Sequence, residues 1–514
     1  MNDKGYIVRN FLFAVLIGFL LLISGTPYVK AQKVIQWVPD ERVPGYLDDT
    51  FTPFLLADQN RTVHAFASQW VEVSEYERKL AIVYRQWSLM GGWTKPVDIL
   101  LSPSGDARIH GAYLDSSGIM HVIFWGGSAK DANIFYSQAP VTNADLSSAW
   151  SPPTLIGERA IEPSSAVLAG DDQGNLVVVY TGNIDGAGVY EVHSNDFGIN
   201  WTKSKPVFLT NDFNLVPYSL SLYMGQAGKL HAAWNVVTNK GVDISVHYAR
   251  YDVVENQWSE PVLLNKRIES EDYFGPSFPS IVDNGKNVVI MYNNGNPFSG
   301  RPVEPGRPVQ EVSMSDDGGL SWNDPVVPFY RHLGRSGEHS LVVDSNNVVH
   351  ALFVQRIEYT VDGEYRLIGG IWHSSLQGGV WSDPDRFITS YAPHDVRGVI
   401  SQGNVFLAVW REDPGAERQH GIWYSYTILD SPELPVVIPP TRLSDSALTS
   451  TPASGSASVL ISTPAAETPM ISMDNIPSGI TSNPAGPLVI AIVPVALILV
   501  GVIVMYRFYQ NRNN

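Results

Sequence analysis

Seven tryptophans, each followed by a proline within five residues, divide most of the chain into units of similar length. They are Trp37, Trp93, Trp150, Trp201, Trp258, Trp322 and Trp381. Neighbouring tryptophans are 51 to 64 residues apart. A repeat of several tens of residues indicates a solenoid, a propeller or another array of similar units.

Each unit also contains a strand, a turn and a second strand, as in "PFLLADQNRTVHAFA", "GAYLDSSGIMHVIFW" and "SLVVDSNNVVHALFV". Short apolar runs bounded by Gly, Asp and Asn are typical of β-hairpins. A third strand and the Trp-Pro strand bring each unit to four strands, the content of one propeller blade. The sequence therefore predicts an all-β, seven-bladed β-propeller, with six blades as the alternative if one hairpin lies outside the ring.

The order of the units predicts how the ring closes. Trp37 precedes the first hairpin, whereas the last hairpin and "GIWYSYTIL" have no Trp-Pro strand after them. We therefore expect the N-terminal "VIQWVPD" to supply the outer strand of the last blade, because this pairing removes two exposed sheet edges.

Two octets share the pattern S-x-D-x-G-x-x-W. They are "SNDFGINW" (194–201) and "SDDGGLSW" (315–322), and weaker copies such as "SSLQGGVW" occur in other units. Gly permits a turn conformation that other residues resist, and Ser and Asp side chains bond to nearby backbone amides. The octets are therefore interpreted as structural turns rather than catalytic elements.

This pattern is the Asp-box, and its repetition in a predicted propeller resembles the Asp-box (BNR repeat) propellers of the sialidase superfamily, over about residues 32–429. The resemblance implies carbohydrate recognition; retaining sialidases have six blades, three arginines on the sugar carboxylate, a Tyr–Glu nucleophile pair and an Asp acid/base. Where that family has Arg-Ile-Pro before the first inner strand, this chain has Phe51, Thr52 and Pro53. Phe in place of Arg removes a main donor to the carboxylate, so whether the chain is a glycoside hydrolase stays open.

Polar residues near the starts of the inner strands are the candidates for a site, because propeller ligands bind at one mouth of the central channel. The carboxylates that could act as acid and base on a glycosidic bond are Glu162, Asp272, Glu338 and Asp395. The candidate substrate-binding residues are Arg108, His110, Tyr273, Arg335, His339 and Arg397. The alternative is a wet channel whose polar groups bond only to water.

The spacing of three of these candidate residues from their hairpin turns supports a common site. His110 and His339 each lie five residues before the Asp of their hairpin, Asp115 and Asp344, and Arg397 falls within one residue of that spacing. We expect these side chains to point the same way, with the two histidines in adjoining inner strands.

Another set of histidines recurs at one position of four second strands: His64, His121, His231 and His350. Four copies in separate blades indicate packing with a bonded ring nitrogen rather than a metal site. The sequence predicts no metal site and no cofactor.

The two ends predict the location. Residues 1–31 have the basic start and apolar run of a signal peptide cleaved before Gln32, with an uncleaved anchor as the alternative. Residues 430–486 have the composition of a Ser/Thr/Pro-rich stalk, 487–506 are long and apolar enough to span a bilayer, and 507–514 would form a basic cytoplasmic tail. We therefore expect a single-pass membrane protein with an extracellular propeller.

Composition narrows the partners. There are 51 acidic and 34 basic residues, a net charge of −17, which disfavours nucleic acid as a partner. There is no cysteine, so no disulfide can stabilise the propeller. The leading hypothesis is a cell-surface propeller that recognises, and could hydrolyse, extracellular glycans. The alternative is a non-catalytic propeller that binds another protein.

Overall fold

The computed structural model of the protein describes residues 35–440, apart from 129–131, 161–164, 226–227, 268–274, 296–308, 331, 333–338, 362–363, 391–392 and 414–417. Seven antiparallel sheets follow one another along the chain. Their innermost strands contact one another in a closed order, which makes the fold the predicted seven-bladed propeller and excludes the six-bladed alternative.

The blades are given from the inner strand outwards. Blade 1 contains β2 (Phe54–Ala57), β3 (Val63–Ser74), β4 (Glu77–Ser88), β5 (Gly92–Trp93) and β6 (Val97–Leu100). Blade 2 contains β7 (Asp106–Leu114), β8 (Ile119–Gly127), β9 (Asn133–Pro140) and β10 (Thr154–Gly157), and blade 3 contains β11 (Ala166–Gly170), β12 (Leu176–Gly182), β13 (Gly188–Ser194) and β14 (Lys205–Leu209). Blade 4 contains β15 (Leu215–Met224), β16 (Lys229–Thr238), β17 (Asp243–Asp252), β18 (Gln257–Trp258) and β19 (Val262–Lys266). Two 3₁₀ turns, Val141–Asn143 and Ser147–Ala149, follow β9.

Blades 5 to 7 complete the ring. Blade 5 contains β20 (Ser277–Asp283), β21 (Val288–Asn294) and β22 (Val309–Ser315). Blade 6 contains β23 (His339–Val343), β24 (Val349–Val361), β25 (Glu364–Gln377), β26 (Val380–Trp381) and β27 (Asp385–Thr389). Blade 7 contains β28 (Pro393–Ser401), β29 (Val405–Glu412), β30 (Gly421–Ile428) and β1 (Glu41–Arg42). In the described part of blade 5 the outer strand is reduced to one bridge between Val312 and Val326.

The N-terminal segment closes the last blade, as the order of the repeats predicts. β1 pairs with β30, with Glu41 opposite Tyr424 and Arg42 opposite Trp423. The ladder thus lies just beyond the predicted "VIQWVPD", although Val38 N already donates to Tyr426 O at 2.9 Å. Trp37 stacks on Phe387, with ring centroids 4.0 Å apart. The two ends of the ring are therefore joined by backbone bonds and by packing.

The core consists of apolar layers between neighbouring blades. Phe66 and Tyr84 of blade 1, for example, pack with Met120 and Phe124 of blade 2, and all four side chains are buried. Each large apolar side chain buried in this way stabilises the fold by about 1.5–3 kcal/mol. The absence of disulfides is therefore compensated by packing between blades.

Serine hydroxyls connect neighbouring blades where no ladder runs between them. Three of these serines lie on inner strands, Ser68 lies on the second strand β3, and Ser165 directly precedes β11. Each accepts a hydrogen bond from a backbone N–H of the next blade: Ser68 from Ile109 (2.9 Å), Ser165 from Leu220 (2.8 Å), Ser221 from Ile281 (3.1 Å), Ser280 from Leu341 (3.2 Å) and Ser340 from Gly398 (3.1 Å). These bonds satisfy amides that would otherwise lie unpaired at the blade boundaries.

The octets form the turns that the sequence predicts. In the first, Gly198 N donates to Ser194 Oγ at 2.9 Å and Asn200 N donates to the Asp196 carboxylate at 2.8 Å. These bonds lower the pKa of Asp196. Trp201 packs on Tyr136 of the preceding blade, with centroids 5.0 Å apart. The octet is therefore a contact between blades as well as a turn.

We call the end of the ring where the inner strands begin the upper face, and the end with their hairpin turns the lower face. Near the lower face the four repeated histidines are buried. His64 shows the arrangement: its Nε2 donates to Asp58 (3.2 Å), and its Nδ1 accepts from the Tyr84 hydroxyl (2.6 Å). Tyr84 in turn accepts from Gln86 Nε2 at 2.8 Å. These histidines therefore have the structural role that their repetition indicates.

The segment Ser431–Pro440, which we call the lower strap, lies across the hairpin turns of the lower face. Its bonds run to blades 7, 6 and 1: Ser431 to Gly403 (3.2 Å), Leu434 to Gln402 (2.7 Å), Pro432 to Ser345, Val437 to Gln59 (3.0 Å) and Glu433 to Arg61. The part of the predicted stalk that the structure describes is thus held against the propeller.

Within the described residues, no helix has both the length and the apolar composition needed to cross a membrane. The predicted signal peptide, the rest of the stalk, the predicted membrane segment 487–506 and the tail lie outside the described residues.

Candidate functional site

The upper mouth is the opening of the central channel at the upper face. We define it by Arg108, His110, Tyr218, Phe278, His339, Asp395 and Arg397, which all lie in the first halves of inner strands. The other predicted site residues, Glu162, Asp272, Tyr273, Arg335 and Glu338, lie outside the described residues.

Bulges in the inner strands shape this mouth. β7, β15, β20 and β28 each lose their regular register near their upper ends. In three of them a bulged residue other than glycine has a positive φ: Ser219 (46°), Phe278 (53°) and Asp395 (52°). A bulge changes the direction of a side chain. Because the same device recurs in three blades, it is a property of the ring rather than strain at one residue.

Arg397 interacts electrostatically with histidines on both sides of its own blade. His110 is half-buried, and burial lowers its pKa to about 4, with Arg108 and Arg397 adding to the effect. Burial also lowers the pKa of His339 to about 4, and Arg397 again contributes. Arg397 itself is exposed. The structure therefore brings Arg397 and both imidazoles together, with both histidines neutral near pH 7.

The expectation that His110 and His339 occupy adjoining strands is wrong. His339 is on β23 of blade 6 and His110 on β7 of blade 2, so blades 7 and 1 lie between them. Equal spacing from a hairpin turn fixes height along the channel, but it carries no information on which blades are neighbours. Arg397 on β28 is the residue next to His339 in the ring order.

His339 has one ring nitrogen left for a ligand. Its Nε2 lies 2.8 Å from the carbonyl oxygen of Met291. A carbonyl only accepts, so Nε2 carries the proton and Nδ1 of the neutral ring is an acceptor. Nδ1 is buried and has no partner in the described part of the chain, and the side chain as a whole is 5% exposed. A ligand hydroxyl could satisfy it.

Arg108 is supported by two aromatic rings. Its guanidinium lies 5.7 Å from the ring centroid of Phe51 and 5.4 Å from that of Trp125. Cation–π contacts of this kind hold an arginine in place without neutralising its charge. Its Nε is buried with no partner among the described residues. Phe51, which stands where the resemblance would place an arginine, thus supports a different arginine at the mouth.

Asp395 belongs to a partly exposed cluster on blade 7. Its carboxylate lies 3.9 Å from Arg411 Nη1, and Arg411 Nη2 lies 3.2 Å from Asp413. His394 Nε2 is 2.9 Å from Asp413. Sequence reasoning missed Arg411 and Asp413. The pairing of His394 with Arg411 across β28 and β29 is the signal that could have found Arg411.

Asp243 is a second carboxyl on the upper face that sequence reasoning missed. It begins β17 of blade 4, and its carboxylate accepts from Asn235 Nδ2 at 3.0 Å. Burial raises the pKa of Asp243 to about 6, although bonds from Ser277 and Asn235 oppose the shift. A carboxyl with this pKa can exchange a proton near neutral pH. An isolated Asp in "GVDIS" gives no sequence signal of that environment.

No group of three or more His, Cys, Asp or Glu residues that could hold a metal ion occurs in the part of the chain that the structure describes.

Comparison with known proteins identifies no family. No protein-family model matches the chain, and no curated protein matches it. Membership of the sialidase superfamily thus stays a prediction from the octets.

Solved structures with a similar arrangement of strands include enzymes that act on carbohydrates. A polysaccharide lyase of family PL25, an ulvan lyase bound to -[GlcA(1-4)Rha3S]-, is 12% identical, with 81% of this chain and 100% of that chain covered and a TM-score of 0.49. A protein of unknown function from Dyadobacter fermentans is 14% identical, with 77% and 99% covered and a TM-score of 0.45. An α-L-arabinanase from Penicillium chrysogenum complexed with arabinobiose is 12% identical, with 62% and 94% covered and a TM-score of 0.39. These TM-scores are below 0.5, so the proposals below rest on the residues of this chain.

Proposed function

We propose that the protein recognises glycans at the upper mouth, and that these glycans carry an acidic group. The observation that carries this proposal is that Arg108 and Arg397 both lie in the upper parts of inner strands, with the Arg108 guanidinium held against Phe51 and Trp125. A cationic mouth on a chain of net charge −17 is a local exception that attracts anions.

The mouth also offers what a sugar ring needs. Arg397 and Arg108 supply charge-assisted donors for a carboxylate or sulfate. Nδ1 of His339, which has no partner among the described residues, supplies an acceptor for a hydroxyl. Tyr218 and Phe278, half-buried and 5.9 Å apart, present aromatic surface at the same level of the channel. An acidic sugar combines an anion, hydroxyl donors and an apolar ring face, and so matches all three.

The proposal includes an extracellular location for the propeller. A secreted propeller anchored by residues 487–506 would meet extracellular polysaccharides and glycoconjugates. Glycoside hydrolysis at the mouth would use Asp395 together with one of Glu162, Asp272 and Glu338, whose separations decide between acid/base and nucleophile roles.

The test uses the full-length chain, purified with detergent present throughout, on an array of acidic and neutral oligosaccharides. We expect binding that prefers acidic glycans, and a loss of at least about tenfold in affinity in Arg397→Gln, because a charged hydrogen bond contributes about 1.5–3 kcal/mol. The matched control is Arg61→Gln, which removes an arginine from the lower face. Equal binding by wild type and Arg397→Gln, or no binding to any glycan, would overturn the proposal; the latter would favour a protein ligand.

A second measurement addresses hydrolysis. The same preparation is incubated with chromogenic glycosides that include a sialoside. Release of an aglycone that Asp395→Asn or Glu338→Gln abolishes would identify a hydrolase and its sugar. Binding on the array without release would leave recognition as the function.

A further inference from the structure

A second cavity opens on the upper face, between blades 3 and 4. It has a volume of about 350 Å³, and the residues that matter here are Asn183, Asp185, Asn211, Asp212, Phe213 and Val216. Two of these six residues come from the β12–β13 turn, three come from the connection after β14, and Val216 belongs to the inner strand β15 itself. We call it the Phe213 cleft.

Hydrogen bonds fix both loops of the cleft. The Tyr190 hydroxyl accepts from Asp185 N at 2.9 Å and donates to Gly186 O at 2.7 Å. In the other loop, Asn214 N donates to the Asp212 carboxylate at 2.8 Å. Thr210 N donates to Ala187 O at 3.0 Å, which ties the two loops together. The cleft is therefore preformed.

Phe213 is the unusual feature of this cleft. Its side chain is 90% exposed although its loop is fixed, so the ring contributes little to the core. Exposed aromatic surface on a fixed loop is suited to stacking against an apolar ligand face. The face of a sugar ring that carries only C–H groups is such a surface.

The charges of the cleft determine which sugar fits. Asp185 and Asp212 are both exposed carboxylates, and neither forms an ion pair within the described residues. Carboxylates accept hydrogen bonds from sugar hydroxyls, and they repel a second anion. The side-chain amides of Asn183 and Asn211 can donate and accept. The cleft therefore suits a neutral, hydroxyl-rich sugar and disfavours an acidic one.

The cleft leads towards the upper mouth. Val216 lines the cleft, and Tyr218, on the same side of β15, meets Phe278 at the mouth. Two residues along a strand span about 6.6 Å. The cleft and the mouth are thus connected along β15 by two residues that lie one strand repeat apart.

We propose that the Phe213 cleft is a second subsite that binds a neutral sugar unit of the same glycan whose acidic unit lies at the upper mouth. This inference rests on the proposed function. It defines the ligand class further: a polysaccharide in which acidic and neutral units alternate or adjoin, rather than one made of acidic units alone.

The test is calorimetric titration of the full-length chain with four probes: a hyaluronan hexasaccharide, which alternates uronate with neutral sugar, a hyaluronan disaccharide, an all-uronate galacturonan hexasaccharide and neutral cellohexaose. We expect Phe213→Ala to weaken binding of both hyaluronan probes about fivefold to tenfold, the size of one aromatic contact, and to leave the galacturonan hexasaccharide, which has no neutral unit, unchanged. The matched control is Tyr76→Ala, which removes an equally exposed aromatic ring (91%) from the upper face of blade 1 and should change neither.

A charge variant tests the class of sugar. The double substitution Asp185→Asn and Asp212→Asn keeps the size and one acceptor oxygen of each side chain but removes both negative charges. We expect it to strengthen binding of the galacturonan hexasaccharide at least threefold relative to the hyaluronan hexasaccharide, because the repulsion is gone.

The outcomes separate the two proposals. If Arg397→Gln weakens all acidic probes while Phe213→Ala weakens none, the mouth is supported and the cleft proposal is wrong. If Phe213→Ala abolishes cellohexaose binding and Arg397→Gln has no effect on any probe, the cleft is supported and the acidic mouth is wrong. Binding to none of the four probes would overturn both.

Discussion

The histidines near the two faces of the ring differ in their partners. Near the lower face, His64 and His121 each use both ring nitrogens, one towards a hairpin aspartate and one towards a tyrosine hydroxyl. At the upper mouth, His339 leaves Nδ1 without a partner in the described part of the chain and lies under the influence of Arg397. The first arrangement recurs from blade to blade, and the second occurs once among the described inner strands.

This difference distinguishes structural contacts from ligand contacts in a repeat protein. A contact that every blade needs is repeated, and its polar groups are satisfied within the protein. A contact for a ligand is needed at one place only, so it interrupts the repeat and leaves groups unsatisfied. Blade 3 supports this distinction: Val177 replaces the histidine there, and Asp171 bonds to Asn175 Nδ2 at 2.7 Å instead.

The largest loss of unfolding free energy is expected from a substitution where a repeated contact between blades is tightest. A Cβ at Gly319 would lie 1.9 Å from the Tyr248 hydroxyl, and φ there is +86°. Gly319→Ala should lower the free energy of unfolding by about 3–5 kcal/mol, measured by urea denaturation. The neighbouring Gly318 also has a positive φ (+71°), but nothing lies within 4 Å of its Cβ position. Gly318→Ala should cost only about 1 kcal/mol, and equal costs would contradict the packing argument.

The buried histidines come next. His121→Val leaves the Asp115 carboxylate buried without its imidazole and should cost about 2–3 kcal/mol in unfolding free energy. Adding Asp115→Asn should recover part of this cost, because it removes the uncompensated charge.

At the mouth, His339→Gln should cost less than about 1 kcal/mol while it weakens glycan binding. If His339→Gln proves as destabilising as His121→Val, the distinction between the two groups of histidines fails.

The protonation of His339 can also be tested with acid. The pKa of His339 falls from an ordinary 6.5 to about 4 on folding, so the unfolded chain binds more protons between these values. The stability that neutral His339 contributes is complete above pH 6.5 and is lost as the pH falls towards 4. His339→Gln should therefore lose about 2 kcal/mol less than wild type between pH 7 and pH 5, measured from urea midpoints. Parallel pH profiles would show that His339 does not titrate as described.

The smallest effect is expected at the lower strap. Arg61 and Glu433 form an ion pair in which both side chains are about half exposed. Arg61→Ala should change the unfolding free energy by less than about 0.5 kcal/mol, because solvent screens such pairs. A thermal melt that drops by many degrees would mean that the strap contributes to closure of the ring far more than its surface contacts indicate.

The sequence was sufficient for the fold because the fold is repeated. Hairpins and Trp-Pro strands at regular intervals specify seven blades, and the unpaired Trp37 segment specifies the closure, since an unmatched strand at one end must pair with the other. The octet turns could be predicted because Ser, Asp and Gly act locally.

The candidate site was harder to predict from the sequence because its residues are not repeated from blade to blade. Bulges in β7 and β28 shift the register next to His110 and Arg397, and no local pattern announces a bulge. Arg411 lies near the end of the second strand β29 and Asp413 directly follows it. The repeat has no corresponding residues at these positions in the other blades that would mark them as functional. The raised pKa of Asp243 depends on burial by neighbouring blades, which composition does not show.

Both ends of the described chain leave from one side of the ring. Gln36 bonds to Thr427 near the lower end of β30, and the lower strap runs beneath the hairpin turns to Pro440. Within the described residues, neither end crosses the upper mouth. A body attached by its underside leaves its opposite opening accessible, so a support joined at either end of the described chain would lie on the side away from the mouth.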